Sequence, residues 1–388
     1  MSSDRILVLG LMGRFPMAGI GWQALHYLIG LQRLGYDVYY AEDSGAPPYD
    51  PEAVGIGTDA ERNVRFVRTV MQRTAQPDHW MYWDSIENRH HGLGAEALHE
   101  LYATSDQIWN LSGATRLREE HRAAGARVYL QTDPGPEQVG LAANDPEVVA
   151  QIDAHDVLFT YGENLTRSGA RIPTSGRTWH PTRPPVLLDE WEADAPDGTA
   201  PFSTIGSWRT EGKDVSWDGH EHRWSKHESF LELLEAPRTA GVEVDAALAP
   251  PPDVAARMIR AGWSLRDPYE VSADLEAYRR FVHASCGEFT AAKDVYVRSR
   301  SGWFSDRSAC YLASSRPVVT QDTGVEDVLP VGEGVVVYDG PDGATEALRD
   351  VHGALPAHAT AARGLAEAYF DAARVLPRML DVIAASRP

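Results

Sequence analysis

Apolar residues in this chain come in short runs separated by glycine-rich loops and helical stretches. Arg5 to Leu9 is an apolar run suited to a buried parallel strand. A loop with Gly13, Gly19 and Gly21 follows. Trp22 to Leu34 has helical periodicity and stops at Gly35, and Asp37 to Tyr40 reads as the next strand. Strand, loop, helix and strand within about forty residues are the grammar of a doubly wound α/β sheet. Arg127 to Gln131 and Asp156 to Thr160 repeat the strand pattern, ending at Thr132-Asp133-Pro134-Gly135 and Tyr161-Gly162-Glu163-Asn164.

Residues 173–201 are proline-rich and aperiodic, as a linker or the first strand of a new unit near Val186–Leu188 would be. The pattern then restarts. Phe202 to Gly206 and Val242 to Leu248 read as strands, and Ser229 to Glu235 as a short helix. Leu275 to Ala284 begins as a helix, and Val295-Tyr296-Val297 looks strand-like. Ser305 to Ala313 reads as a helix running into a strand at Arg316 to Thr320, and Gly334 to Tyr338 is a last strand. Thr345 to Val351 and Ala357 to Ile383 are helical by periodicity. The expected fold is α/β, with two Rossmann-like sheet domains facing each other across a cleft: 1–185, 186–365, and a closing helix in 366–388.

The length of 388 residues supports two domains better than one. A formal net charge of −20 opposes nonspecific binding to nucleic acid or anionic membranes, so no nucleic-acid partner is expected. No run of 18 apolar residues offers a membrane span. The first residues run directly into a strand without a leader pattern, which points to a cytoplasmic protein. A monomer or homodimer is expected. Cys286 and Cys310 do not make a disulfide framework.

Only three of the 36 basic residues are lysines: Lys213, Lys226 and Lys293. With Arg209 they lie beside expected strands of the second half, where they suit a diphosphate. The N-terminal turn at Asp306, Arg307 and Ser308 offers unsatisfied N–H groups, and Asp322 and Thr323 stand at the following strand end. Phe289 is placed to cover a base, and Glu288 to accept from a ribose or base donor. Gly19 and Gly21 allow backbone N–H groups to approach a ligand. For proton transfer the candidates are His26, Asp84 and Asp133, although each also suits packing or a turn cap. His220, His222 and His227 lack a carboxylate or cysteine partner, so no metal is expected. The loop lacks the G-x-G-x-x-G spacing of a dinucleotide site.

The segment Gly302-Trp303-Phe304-Ser305-Asp306-Arg307, continued by Arg316-Pro317-Val318-Val319-Thr320-Gln321-Asp322-Thr323-Gly324, resembles the donor-binding region of GT-B nucleotide-sugar glycosyltransferases. The resemblance is detailed over about forty residues. It implies a C-terminal domain that binds the nucleotide sugar and an N-terminal domain that shapes the acceptor site. A UDP- or dTDP-sugar is the expected donor; Arg209, Lys213 or Lys226, Arg307 and the glycine loop would serve transfer without a metal, and the aromatic stretch Trp80 to Trp83 points to a small-molecule hydroxyl acceptor. The resemblance also implies a last helix that returns to the first domain. Many retaining members carry two glutamates here, and those positions fall on Gly302 and Cys310. The missing pair leans toward inversion. A related epimerase or phosphorylase-like enzyme, or a non-catalytic nucleotide- or sugar-binding protein, would suit the same scaffold.

Overall fold

The computed structural model describes residues 4–167, 170–210 and 212–386. The last two residues of the expected closing segment, 387–388, lie outside them. The first sheet is formed by β1 (Arg5–Leu9), β2 (Asp37–Glu42), β3 (Trp80–Asp84), β4 (Arg89–Gly92), β5 (Gln107–Leu111), β6 (Arg127–Gln131), β7 (Val157–Thr160) and β8 (Trp179–Pro181). Its order is β8-β7-β6-β5-β1-β2-β3-β4, parallel except for the edge strand β4. The second sheet holds β9 (Phe202–Ile205), β10 (Val244–Ala247), β11 (Trp263–Arg266), β12 (Gly287–Thr290), β13 (Val318–Gln321) and β14 (Val335–Tyr338). It is wholly parallel, in the order β11-β10-β9-β12-β13-β14.

Each order reverses once, between β1 and β5 and between β9 and β12. Open α/β sheets bind ligands outside the carboxyl ends of strands at such reversals. The loops after β1, β9 and β12 therefore matter most.

Four helices join the halves: α1 (Ala18–Arg33), α2 (Leu275–His283), α3 (Asp306–Ala313) and α4 (Ala372–Ser386). α2 and α4 both pack on α1. One apolar cluster includes Trp22 and Leu25 of α1, Trp191, Tyr278 of α2, and Leu376 and Met379 of α4. Gly30 makes the last contact possible, since a Cβ there would lie 2.4 Å from Leu376 Cδ1.

Several local expectations change. Val295-Tyr296-Val297 lies in a helix, Asp294–Ser299, whose buried Val295 and Tyr296 pack with Val139, Leu165 and Ile172 of the first half. Glu288 and Phe289 belong to β12. Leu275–His283 is helical throughout. Val186 pairs only as an isolated bridge with Asp371, and the turn of helix beyond it, Leu188–Trp191, is 3-10.

Candidate active site

A cleft of about 780 Å³ lies between the two sheets. Residues after β1 and β6 line one side, and residues after β9 line the other. Asp133, Arg209, Lys213 and Asp306 are brought together here with Tyr161 and Trp303, and with Glu137 and Gln23, which the sequence did not single out.

Asp133 follows β6. It accepts from Lys293 Nζ at 2.7 Å and from the Tyr296 hydroxyl, both on the other half of the molecule. Burial alone would raise its carboxyl, but Lys293 and Tyr296 outweigh that and hold it below the ordinary range. The same ammonium lies 3.5 Å from the centre of the Trp224 ring, and Lys213 Nζ lies 5.1 Å from it. One indole thus stabilises two cations at the cleft wall.

Glu137 stands four residues beyond Asp133, in the first turn of the helix Pro136–Ala142. Its Oε2 accepts from Gln131 Nε2 at 2.7 Å. Burial, with some help from Asp133, raises its carboxyl above the usual value, against the pull of Gln131 and Lys213. Asp306 is also raised, chiefly by burial. The Arg307 N–H and guanidinium oppose the shift, and Asp133 adds to it. Gln23 Nε2 donates to Asp306 at 3.1 Å across the cleft.

Lys226 is the most unusual cation. It is 9% exposed, with Nζ 5.9 Å from the Trp303 ring centre, and pairs with no carboxylate among the described residues. Burial first, then Arg307 and Lys293, pulls its ammonium well below the ordinary lysine range. The nearby charges are Arg307 with Glu288 and Lys293 with Asp133, two matched pairs, so Lys226 is left in excess.

Other expected residues take structural roles. His26 is 2% exposed in the helical interface. Its Nε2 accepts from Trp191 Nε1 at 2.9 Å, and burial lowers its pKa to about 3. With that lone pair occupied, it is not placed to take a substrate proton. Asp84 is 2% exposed and caps the turn after β3, accepting from the N–H groups of Ile86 and Glu87, away from the cleft. Gly19 and Gly21 face the second half: a Cβ at Gly21 would sit 3.2 Å from Leu275 and 3.0 Å from Phe66. Gly21 permits close helix packing, while a Cβ at Gly19 would meet Tyr278 at an ordinary contact distance of 3.6 Å.

Phe289 is fully buried between Trp263 and Tyr338 and covers no cleft surface. Arg307 donates to Glu288 Oε1 (2.5 Å), Ile205 O (2.9 Å) and Thr290 Oγ1 (3.0 Å). It is therefore committed to the fold, and Glu288, completely buried, exists as its counter-ion. Ser308 is buried within α3. Asp322 accepts from Arg300 and from Gly324 N, and Thr323 donates to Trp303 O. These two brace the loop that presents Trp303.

Glu137 was legible as a carboxylate just past a strand end, in D-P-G-P-E, had the following helix been recognised. Trp303 and Tyr161 gave no comparable signal. Their roles depend on Thr132 O, to which Trp303 Nε1 donates at 2.9 Å, and on the Tyr27 hydroxyl, 2.6 Å from that of Tyr161.

Two α/β sheets with their reversal points facing one cleft, closed by a returning C-terminal helix, decide the comparison. The fold is that of the GT-B glycosyltransferases. AviGT4, a glycosyltransferase involved in avilamycin A biosynthesis, is similar over 98% of this chain and 97% of its own, with a TM-score of 0.53 and 12% identity. An α-glucosyltransferase in complex with UDP and DNA containing an HMU base has a TM-score of 0.57 at 11% identity, over 99% and 100% of the two chains. Anabaena HepE in complex with UDP-glucose reaches 0.58 at 13% identity, over 98% and 99%. No family model matches the chain, and no curated protein does. Among the described residues, no helix of this GT-B chain is long and apolar enough to cross a membrane.

Proposed function

We propose that the protein transfers a sugar from a nucleoside diphosphate sugar, a UDP- or dTDP-sugar, to a hydroxyl of a small-molecule acceptor. Residues 1–185 form the acceptor domain, 186–365 the donor domain, and 366–388 the segment that returns to the first. The observation that carries the reading is the buried lysine Lys226, which has no carboxylate partner among the described residues and lies behind Trp303 of the cleft wall, in the half that also presents Arg209 and Lys213 to the cleft. A buried charge is costly unless paired. A diphosphate supplies the missing partner.

In the reaction the anomeric carbon–oxygen bond breaks, and its electron pair stays on the β-phosphate oxygen. The acceptor oxygen bonds to the anomeric carbon and loses its proton. Arg209, Lys213 and Lys226 stabilise the developing phosphate charge and supply what a divalent cation would otherwise provide, so transfer proceeds without a metal. Glu137 takes the acceptor proton. Its raised carboxyl is a better base than Asp133, whose carboxylate is tied to Lys293 and Tyr296. The products are the nucleoside diphosphate and the glycoside.

Calorimetric titration with UDP, dTDP and GDP tests the donor site. Saturable binding of UDP or dTDP is expected, unchanged by EDTA, as is turnover of the matching sugar. Absence of saturable binding by every nucleotide overturns the reading.

A further inference from the structure

The acceptor side of the cleft has a chemistry of its own. Leu11, Phe15, Met17, Ile20 and Tyr49 form a half-buried apolar wall contributed entirely by the first domain. The Phe15 and Tyr49 ring centres lie 5.5 Å apart. No side chain lining the cleft from this domain is basic among the described residues, whereas Arg209 and Lys213 line it from the second.

The wall is fixed from behind. Buried Glu42 accepts from Gly13 N and, at 2.7 Å, from Arg14 N. Buried Asn63 donates to Gly13 O at 2.7 Å and to Tyr49 O at 3.2 Å, and Tyr49 N donates to Arg14 O at 2.9 Å. The loop and the short hairpin carrying Tyr49 are therefore tied to one another by buried polar groups. An apolar surface held in this way is preformed for a ligand rather than collapsed on itself.

We infer that the acceptor is a compact alcohol or phenol with an apolar, ring-bearing body that rests on this wall. The inference rests on the donor reading for its second substrate but not for the wall itself. Apart from the Tyr49 hydroxyl, the side chains of the wall offer no hydrogen bond to the hydroxyl-rich surface of a free sugar. Among the described residues no basic side chain lines the cleft from this domain, although Arg14 rests 4.9 Å from the Phe15 ring centre, and the net charge of −20 opposes a nucleic-acid acceptor. The ring lies against Phe15 and Ile20, and its hydroxyl is directed to the carboxylates of the cleft floor, Glu137 and Asp133.

Fluorescence titration of umbelliferone, a planar phenol, into the UDP-saturated protein tests this. Saturable binding is expected, weakened about tenfold or more by Phe15→Ser and by Ile20→Asn. Met17→Leu, which keeps the wall apolar, should retain it. Calorimetric UDP binding by each variant reports that it has folded. Umbelliferone that fails to bind, or that binds the Ser and Asn variants as tightly as the wild type, overturns the inference. So does saturable binding of methyl glucoside or of DNA in its place. Loss of UDP binding by the wild-type protein would instead overturn the donor reading, and titrating umbelliferone into the nucleotide-free protein would still decide the wall.

Discussion

Replacing Lys226 by methionine should stabilise the empty protein and abolish its response to UDP. Methionine keeps most of the side-chain volume and the contact with Trp303, and removes the charge. Lys226 is 9% exposed and lies near Arg307 and Lys293, whose partner carboxylates, Glu288 and Asp133, are already engaged. An ion held in the interior bears an effective penalty of several kcal/mol. The cation–π contact with Trp303 returns about 0.5–2 kcal/mol of it. The net relief is about 1–3 kcal/mol, which at about 2 °C per kcal/mol for a chain of this size raises Tm by roughly 2–6 °C. With UDP at a hundred times its dissociation constant, the wild type gains about 2.7 kcal/mol by mass action. The variant should gain almost none of this. Differential scanning calorimetry of both proteins, with and without UDP, measures both effects. A variant that melts below the wild type and still responds fully to UDP would refute the reasoning, because Lys226 would then be a structural residue unconnected to phosphate.

Glu137→Gln should lower turnover by about 10²–10⁴ while leaving UDP affinity within about twofold. The acid limb of the wild-type pH–rate profile should lie above the ordinary glutamate range and vanish in the variant; an unchanged limb excludes Glu137 as the base. Arg307→Ala should cost about 3–5 kcal/mol in urea unfolding, because it strands the buried Glu288 carboxylate; unaltered stability with lost UDP binding would place Arg307 on the ligand instead. Glu42 has a pKa raised from 4.5 to about 7, chiefly by burial, so the folded protein keeps this proton to higher pH than the unfolded chain does. Its contribution is fully present below pH 4.5 and is lost as pH rises through about 7. At about 1.4 kcal/mol for each pH unit this comes to about 3 kcal/mol. The stability of the wild type relative to Glu42→Gln should therefore fall by about that amount between pH 4.5 and 8, and a flat or rising difference in chemical denaturation would refute it.

Local pattern was enough for elements whose burial is set by one run of residues. β1, α1 and β2 follow from apolar runs broken at Gly35, and α3 with β13 from the sequence between Ser305 and Thr320. It was not enough where tertiary packing overrode propensity. Val295 and Tyr296 favour a strand by type, yet they sit in a helix because that helix packs on Val139 and Leu165 of the other domain. β3 and β5 were missed because each spans only five residues and carries polar positions, Asp84 in the one and Gln107 and Asn110 in the other, that shorten the apolar run.

The site divides in the same way. The basic cluster after β9 was legible as composition next to a strand end. His26 and Arg307 were misjudged because their partners, Trp191 and Glu288, sit 165 and 19 residues away and occupy the atoms that function would need. Asp133 kept its place in the cleft, but its pairing with Lys293 spans 160 residues, and no local motif records it.

The glycine at position 30, which lets α4 lie against α1, bears on how the chain is made. α1 stays bare on one flank until the fifteen-residue α4, Ala372–Ser386, has left the ribosome. The first sheet can form during synthesis, but its outer layer cannot close. A nascent chain would therefore present that flank to chaperones until α4 has been made, and losing α4 would leave it permanently uncovered.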